Sequence, residues 1–124
     1  MAHDTIEIYV RDLSVDEAVA WLREEVFETL DRREDALVLT YEGTHQGETV
    51  PVQIAERVEN GPYTSVWFNA PQMPWTTATA CARDAQEGLG KEVLCFLNDP
   101  EQPWTMLRVT AAGEEYIDKR EVEL

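Results

Sequence analysis

The feature of this sequence that most constrains its fold is a hydrophobic period that switches between two residues and about 3.6 residues. The segment Thr5–Val10 alternates apolar and polar residues, which predicts a half-buried strand. Ser14-Val15-Asp16-Glu17 then forms a capping box, in which the Ser14 hydroxyl and the Glu17 carboxylate satisfy free N–H groups at the start of a helix. Apolar residues at helical spacing extend that amphipathic helix to about four turns. They are Val15, Val19, Leu22, Val26 and Leu30.

A second strand-rich region follows this helix. Its three predicted strands cover Ala36–Glu42, Thr49–Val58 and Tyr63–Asn69. Gly43–Gly47 is the predicted turn between the first two strands, and Asn60-Gly61 favours a type I′ hairpin before the third. Pro51 lacks an N–H group, which predicts that its strand lies at a sheet edge or carries a bulge.

The period then returns to the helical value. Thr76 or Thr77 is the predicted N-cap of a second helix, and Gly88 or Gly90 is the predicted stop. The apolar stripe of this helix is mostly alanine, so we expect it to approach its neighbours closely. The stripe consists of Ala78, Cys81, Ala82, Ala85 and Leu89.

The C-terminal third returns to strands. Val93–Leu97 is a continuous apolar run, which indicates a strand that is buried on both faces. Asn98–Pro103 is a predicted loop, and Trp104–Thr110 with Glu115–Asp118 form a final hairpin that Lys119–Leu124 extends. With this hairpin counted as one unit, the order is β-α-β-β-β-α-β-β. It predicts an α+β fold in which two helices pack on a mainly antiparallel sheet, within a single domain over residues 1–124.

Charge limits the kinds of partner. Asp and Glu number 25 against 10 Lys and Arg, which gives a net charge of −15, while 44% of the residues are hydrophobic, too many for a disordered acidic tail. Such a chain is repelled by nucleic-acid phosphates and by anionic membranes, and it favours a basic protein partner. Two alternatives are acidity for solubility alone and acidity as adaptation to salt. The sequence shows neither a signal peptide nor the ~20 apolar residues of a membrane span, so we expect a cytoplasmic protein.

The chemistry-bearing residues form no catalytic pattern. Cys81 and Cys95 lie in apolar segments and are expected to be small, reduced, buried side chains rather than nucleophiles. Glu42, His45 and Glu48 are spaced at three residues, but the favoured interpretation is a polar hairpin tip rather than a metal site. No glycine-rich phosphate loop is present. We therefore expect a protein that is not an enzyme and that has no cofactor and no metal.

The four tryptophans give the strongest indication of a binding surface. Three hypotheses are open. The tryptophans fill the core, or they line a pocket for a small molecule, or some of them anchor a protein partner while neighbouring carboxylates steer it. The third hypothesis gives a set of partner-binding candidates in turns and loops. They are Glu42, Glu48, Glu59, Trp75, Asp99, Glu101 and Trp104. The identity of the partner, the binding face and the oligomeric state stay open.

Residues 74–95 carry a resemblance to a known class of protein. Pro74-Trp75-Thr76, Cys81-Ala82-Arg83-Asp84-Ala85 and Leu89-Gly90-Lys91-Glu92-Val93-Leu94-Cys95 resemble segments of small acidic immunity proteins of bacterial polymorphic toxin systems. The resemblance implies a non-enzymatic inhibitor that binds a cognate toxin, often a nuclease. The phosphate-binding cleft of such a toxin is basic, and an acidic protein is suited to occlude it.

Overall fold

The chain builds one antiparallel sheet with helices on one face. A computed structural model describes residues 5–34, 38–70 and 73–122, and within them the sheet has eight strands. The strands are β1 (Thr5–Arg11), β2 (Thr29–Arg33), β3 (Thr40–His45), β4 (Glu48–Ala55), β5 (Tyr63–Asn69), β6 (Val93–Phe96), β7 (Thr105–Thr110) and β8 (Gly113–Asp118). The helices are α1 (Val15–Trp21), which continues into a π-helical turn over Leu22–Val26, and α2 (Ala78–Leu89).

The spatial order of the strands is β2-β3-β4-β5-β1-β6-β7-β8, and every neighbouring pair is antiparallel. Both helices pack over the apolar residues of the central strands, on the face that carries Ile6, Ile8 and Val10 of β1. The predicted α+β class, the antiparallel sheet, the two helices and their order are confirmed. The structure adds one strand, β2, which the sequence pattern assigned to the end of the first helix.

The first helix is shorter than predicted because it ends in a π turn. The N–H of Phe27 donates to the carbonyl of Leu22 (2.8 Å), and Phe27 itself is extended (φ −110°, ψ 151°). Leu30 therefore lies on β2, where it is buried opposite Gly43 of β3. Leu30 was the only apolar residue beyond Val26 that supported the predicted helix. A strand can bury the side chain of Leu30 equally well, so this residue did not distinguish a helix from a strand. Of the predicted strand over 36–42, residues 36 and 37 lie outside the described residues, and β3 begins at Thr40.

Gly43 belongs to a strand and not to the predicted turn. β3 continues to His45, and only Gln46 and Gly47 form the turn to β4, both at positive φ (51° and 81°). The ring of Phe27 lies directly over Gly43, since a Cβ atom there would come within 2.5 Å of it. The glycine therefore serves a close side-chain approach within the sheet rather than a change of chain direction.

The two proline-linked predictions in this region are wrong in detail. β4 is an interior strand, but its pairing with β5 begins only at Val52, so the missing N–H of Pro51 faces no β5 partner. The Asn60-Gly61 pair does not form a type I′ turn, because Asn60 is left-handed (φ 59°) whereas Gly61 is extended (φ −88°, ψ −172°). The following Pro62 accounts for this, since a residue before proline is restricted to extended conformations.

The second helix and the strand after it are as predicted. Thr77 is the N-cap of α2, with its hydroxyl accepting from the N–H of Ala80 (3.1 Å), and Gly90 ends the helix at φ 68°. β6 is buried on both faces: Val93 and Cys95 join the main core beneath the helices, whereas Leu94 joins a smaller cluster on the opposite face. After β8 the chain turns into a 3₁₀ segment over Lys119–Glu121 rather than extending the hairpin.

Candidate functional site

The two helices are in close contact where Trp21 of α1 meets Gly88 of α2. A Cβ atom at Gly88 would lie 2.7 Å from Nε1 of Trp21 and 2.9 Å from a carboxylate oxygen of Glu25. This is the close approach that the alanine-rich stripe of α2 predicts. It brings an aromatic ring and an acidic side chain of the first helical segment against the exposed side of the second.

Trp75 extends this contact into an aromatic wall. Its ring stacks on that of Trp21, with centroids 6.1 Å apart and an angle of 18° between the planes, and it meets Phe68 edge-on at 5.1 Å. The indole N–H of Trp75 donates to Oδ2 of Asp84 (2.7 Å), which fixes both the ring and the carboxylate. Trp75, in the segment just before α2, therefore holds the carboxylate of Asp84 on α2 in place.

A cavity of about 250 Å³ lies between these elements. We call it the acidic groove. It is lined by Trp21, Glu25, Val26, Pro74, Trp75, Asp84 and Glu87. Two tryptophan rings line one side of this groove, and three carboxylates line the rest. Val26, the last residue of the π-helical turn, also lines it, so the negative end of that helical segment's dipole lies at the edge of the groove.

The carboxylates of the acidic groove carry unbalanced charge. Across the described residues, no lysine or arginine pairs with Glu25, Asp84 or Glu87. Other acids of the chain do have such partners. Lys91 lies 3.5 Å from Glu17, and Arg83 forms a two-pronged pair with Glu114 whose Nε–Oε2 distance is 2.8 Å. Lys91 and Arg83 thus pair with other acids, and the charge of the three groove carboxylates stays unbalanced among the described residues.

The two tryptophans among the predicted partner-binding residues differ in their surroundings. Trp75 is only 7% exposed, and its largely buried ring forms a wall of the groove; its predicted role in binding a partner stays a prediction. Trp104, directly before β7, is 46% exposed and presents a surface of the expected kind.

The predicted acidic residues do not converge on one patch. Glu42 lies on the helix-free face of β3, 3.6 Å from Arg33, and Glu59 lies in the 3₁₀ turn Val58–Asn60 at the opposite end of the sheet from Glu48. Asp99 and Glu101 lie in the loop between β6 and β7. From β4, which begins with Glu48, to β6 is three strand spacings, or about 14 Å. Glu48 therefore belongs to a different turn region from the other two.

Sequence reasoning missed four residues of the acidic groove: Trp21, Glu25, Asp84 and Glu87. The signal that could have found them is spacing along the helices. Trp21 and Glu25 are four residues apart, and Asp84 and Glu87 are three apart, so each pair shares a helix face. That the two faces meet depends on the tertiary packing, which no spacing rule supplies.

The two cysteines lie in apolar surroundings. Both cysteines are free and buried. Burial raises the pKa of Cys81 well above its usual value and that of Cys95 to about 11, which keeps both as thiols. Glu42 and His45 point to opposite faces of β3, because they are an odd number of residues apart on one strand.

A second cavity opens where the sheet is split. The described ladder between β1 and β6 contains only Tyr9–Leu94 and Val10–Val93, so the start of β1 and the end of β6 diverge. The resulting cleft has a volume of about 330 Å³ and reaches the N-terminus of α2. Its lining includes Thr76, Thr77 and Thr79.

Comparison with known proteins adds no assignment. No family model, no curated protein and no solved structure matches this chain. Among the described residues, no helix has the length and apolar character needed to cross a bilayer. The resemblance of residues 74–95 to immunity proteins thus stays a prediction from the sequence.

Proposed function

We propose that this protein is a non-enzymatic inhibitor that binds and occludes a basic protein, and that it acts as a cytoplasmic immunity protein against a nuclease-like toxin. The observation that carries the proposal is the acidic groove, where Glu25, Asp84 and Glu87 have no cationic partner among the described residues. The net charge of −15 and the resemblance of residues 74–95 to immunity proteins agree with it.

The mechanism is occlusion driven by complementary charge. The excess of carboxylates steers a cationic partner toward the protein and raises the association rate at low salt. The groove then fixes the orientation of the complex, because its carboxylates are held beside a rigid aromatic wall. Trp104 offers additional apolar contact area away from the groove. A bound inhibitor of this charge covers the phosphate-binding cleft of a nuclease and competes with its substrate.

The proposal expects a toxin-like domain to be encoded beside the gene of this protein, and the direct test uses such a domain. We expect co-expression of this chain to restore growth of cells that produce that domain, and we expect the two purified proteins to form a complex whose association slows as salt is raised. Toxicity that persists at equal expression, together with no complex at low salt, would overturn the proposal.

Two variants with the same change in charge locate the interface. Glu25→Gln, Asp84→Asn and Glu87→Gln together remove three negative charges from the groove. The matched control, written E48Q/E59Q/E101Q, removes three from the predicted loop positions. We expect the groove variant to accelerate dissociation at least tenfold, and the control to change mainly the association rate. The opposite ranking would place the interface on the loops.

A second candidate function is small-molecule binding, which the 330 Å³ cleft between β1 and β6 favours. Four threonines line this cleft, namely Thr5, Thr76, Thr77 and Thr79. The hydroxyl of Thr77 caps α2, and the other three can offer hydroxyl groups to a polar ligand. A metabolite screen by thermal shift tests it: a compound that raises the melting temperature of the wild type but not of a Thr79→Val variant would support this function. A screen without such a compound would speak against it.

A further inference from the structure

We propose that the cleft between β1 and β6 binds an extended, basic peptide segment, which pairs through its main chain with the open edges of these two strands. The cleft shares no lining residue with the acidic groove, so this inference goes beyond the proposed function. Three features carry it: main-chain groups without a strand partner, space for a chain between them, and acidic side chains beside the cleft.

The first feature is the open edge of β1. On one side β1 pairs with β5 over seven residues, whereas on the other the described ladder to β6 covers only Tyr9 and Val10. The N–H of Arg11 points toward β6, since it donates to the carbonyl of Glu92 (2.9 Å). Because this direction alternates along a strand, the N–H and carbonyl of Glu7 also face β6, where the described ladder gives them no partner.

β6 has a matching open edge. The N–H of Leu97 donates to the carbonyl of Thr105 (3.3 Å), on the side of β7, so the N–H and carbonyl of Phe96 face the other way, toward β1. Phe96 lies opposite Glu7 in the register that the ladder would continue, yet the two residues do not pair. Main-chain groups inside a folded protein are normally paired. An unpaired strand edge is the surface to which another extended chain adds.

The cleft leaves room for a chain between these edges. Its volume is about 330 Å³, or roughly eleven water molecules, and a second cavity of about 140 Å³ adjoins it. Ile6 and Phe96 line both cavities, whereas Trp67 lines the smaller one. Ile6 faces the helices and Trp67 faces away from them, so the opening runs through the sheet. Such a space suits an extended chain, whose side chains alternate between the two faces, better than a compact small molecule.

The charged groups beside the cleft select a basic segment. Glu7 lines the smaller cavity, and its carboxylate is held by the hydroxyl groups of Tyr9 (3.0 Å) and Ser65 (2.6 Å). Asp99 directly follows Asn98, which lines both cavities. Across the described part of the chain, neither of these carboxylates pairs with a lysine or an arginine. Cationic side chains that flank the bound segment can therefore meet Glu7 and Asp99 without displacing another cation.

Hydrogen exchange of the unbound, ¹⁵N-labelled protein tests the open edges. We expect the amides of Glu7 and Phe96 to exchange at least tenfold faster than those of Ile8 and Tyr9, which face paired strands. Equal protection of all four amides would show that β1 and β6 pair along their whole length, and it would overturn the inference.

The binding test uses the peptide acetyl-Lys-Val-Thr-Val-Lys-amide, whose β-branched residues favour an extended chain. We expect it to shift the amide signals of Glu7 and Phe96 and to slow their exchange, while the amide of Ile8, which faces β5, stays unchanged. One control copy is N-methylated at the three central residues, so it keeps every side chain but loses N–H donors. A second copy carries glutamate in place of both lysines and so reverses the charge.

Both control copies should bind at least tenfold more weakly than the lysine peptide. No binding of the lysine peptide, or equal binding of the N-methylated copy, would overturn the pairing of main chains. Equal binding of the glutamate copy would overturn the choice of a basic segment. A metabolite that shifts the amides of Glu7 and Phe96 when the lysine peptide does not would assign the cleft to a small molecule and reject the peptide.

The variant Asp99→Asn locates the charge contact, and Asp31→Asn on β2, at the far edge of the sheet, is its matched control. Asparagine keeps an oxygen atom that can accept from the N–H of Glu101, as Oδ1 of Asp99 does (2.9 Å), so the loop retains this bond. We expect Asp99→Asn to weaken binding of the lysine peptide at least threefold and Asp31→Asn to leave it unchanged. Equal effects of the two variants would overturn the placement of Asp99 beside the bound segment.

Discussion

Replacing Gly43 by alanine is the sharpest test of the packing described here. Gly43 lies within β3, at a position where its own φ is unstrained, and alanine is ordinarily better than glycine in a strand by about 0.5–1 kcal/mol. If residues 43–47 formed the turn that the sequence predicted, no side chain would pack over Gly43, and alanine would be tolerated there. In the structure, however, the ring of Phe27 lies over Gly43.

The expected cost follows from the contact distances. The added Cβ would lie 2.5, 2.6 and 2.8 Å from three ring carbons of Phe27, whereas carbon atoms normally pack at about 3.5–4.0 Å. The ring must therefore withdraw by about 1 Å, although it is 5% exposed and packs against Phe68 at 6.2 Å. Such overpacking costs about 1–3 kcal/mol, which exceeds the propensity gain. We expect a net loss of about 1–2 kcal/mol in the free energy of unfolding.

Urea unfolding followed by circular dichroism measures this loss, and a double-mutant cycle identifies its origin. Phe27→Leu removes ring carbons that the new methyl group would meet. The Gly43→Ala/Phe27→Leu double variant should therefore be destabilised less than the two single variants combined, by at least about 0.5 kcal/mol. A Gly43→Ala protein as stable as the wild type, or additive effects in the cycle, would refute the placement of Phe27 over β3.

Two further outcomes follow from local contacts. Ser14→Ala should destabilise the protein by about 1 kcal/mol through loss of the N-cap. Hydrogen bonds from the backbone N–H and then the hydroxyl of Ser14, together with the nearby Lys91, lower the pKa of Glu17. The part of the stability that comes from the Glu17 carboxylate is therefore complete above the usual carboxyl pKa and is lost as the pH falls through the lowered value, whereas the bond from the Glu17 N–H to the Ser14 hydroxyl does not titrate. NMR titration should show the pKa of Glu17 rising in the variant, which lacks the hydroxyl. Because burial raises the pKa of Cys81 and Cys95, a disulfide reagent should react with neither thiol in the native protein and with both in urea, and fast reaction in the native state would contradict their burial.

The parts of the fold that were predictable from the sequence are those with a local cause. Ser14 and Thr77 cap their helices through bonds to residues three positions away, and Gly90 ends α2 in the left-handed conformation. The strand β2 had no such local signature. Its residues Thr29–Arg33 are mostly polar and exposed, and they form a strand because they pair with β3 at the edge of the sheet. Pairing of this kind is non-local, so hydrophobic periodicity within a segment does not reveal it.

The candidate site shows the same division. One of the interpretations from the sequence was that acidic and tryptophan residues together form a partner-binding surface, with Trp75 among the candidates. It placed the acids in turns, where exposed charge is expected, whereas the structure places Glu25 and Asp84 on helical segments that face each other. That meeting depends on Gly88, whose lack of a side chain lets α1 and α2 approach, and only tertiary packing determines which residue fills the space beside it.

Carboxylates without a cation also have a consequence for the stability of the unbound protein. Asp84 and Glu87 are three residues apart on α2, and Glu25 shares their cavity, so like charges repel across the groove. Neutralising two of them with Glu25→Gln and Glu87→Gln should stabilise the isolated protein by about 0.5 kcal/mol at low salt, and high salt should diminish the gain. The pair Glu59→Gln and Glu101→Gln is the control, from which we expect a smaller gain. A groove variant that is less stable than the wild type would show that these carboxylates stabilise the fold instead. A variant that is more stable but binds the partner more weakly would show that the protein keeps destabilising charge in the groove because the charge is needed for binding.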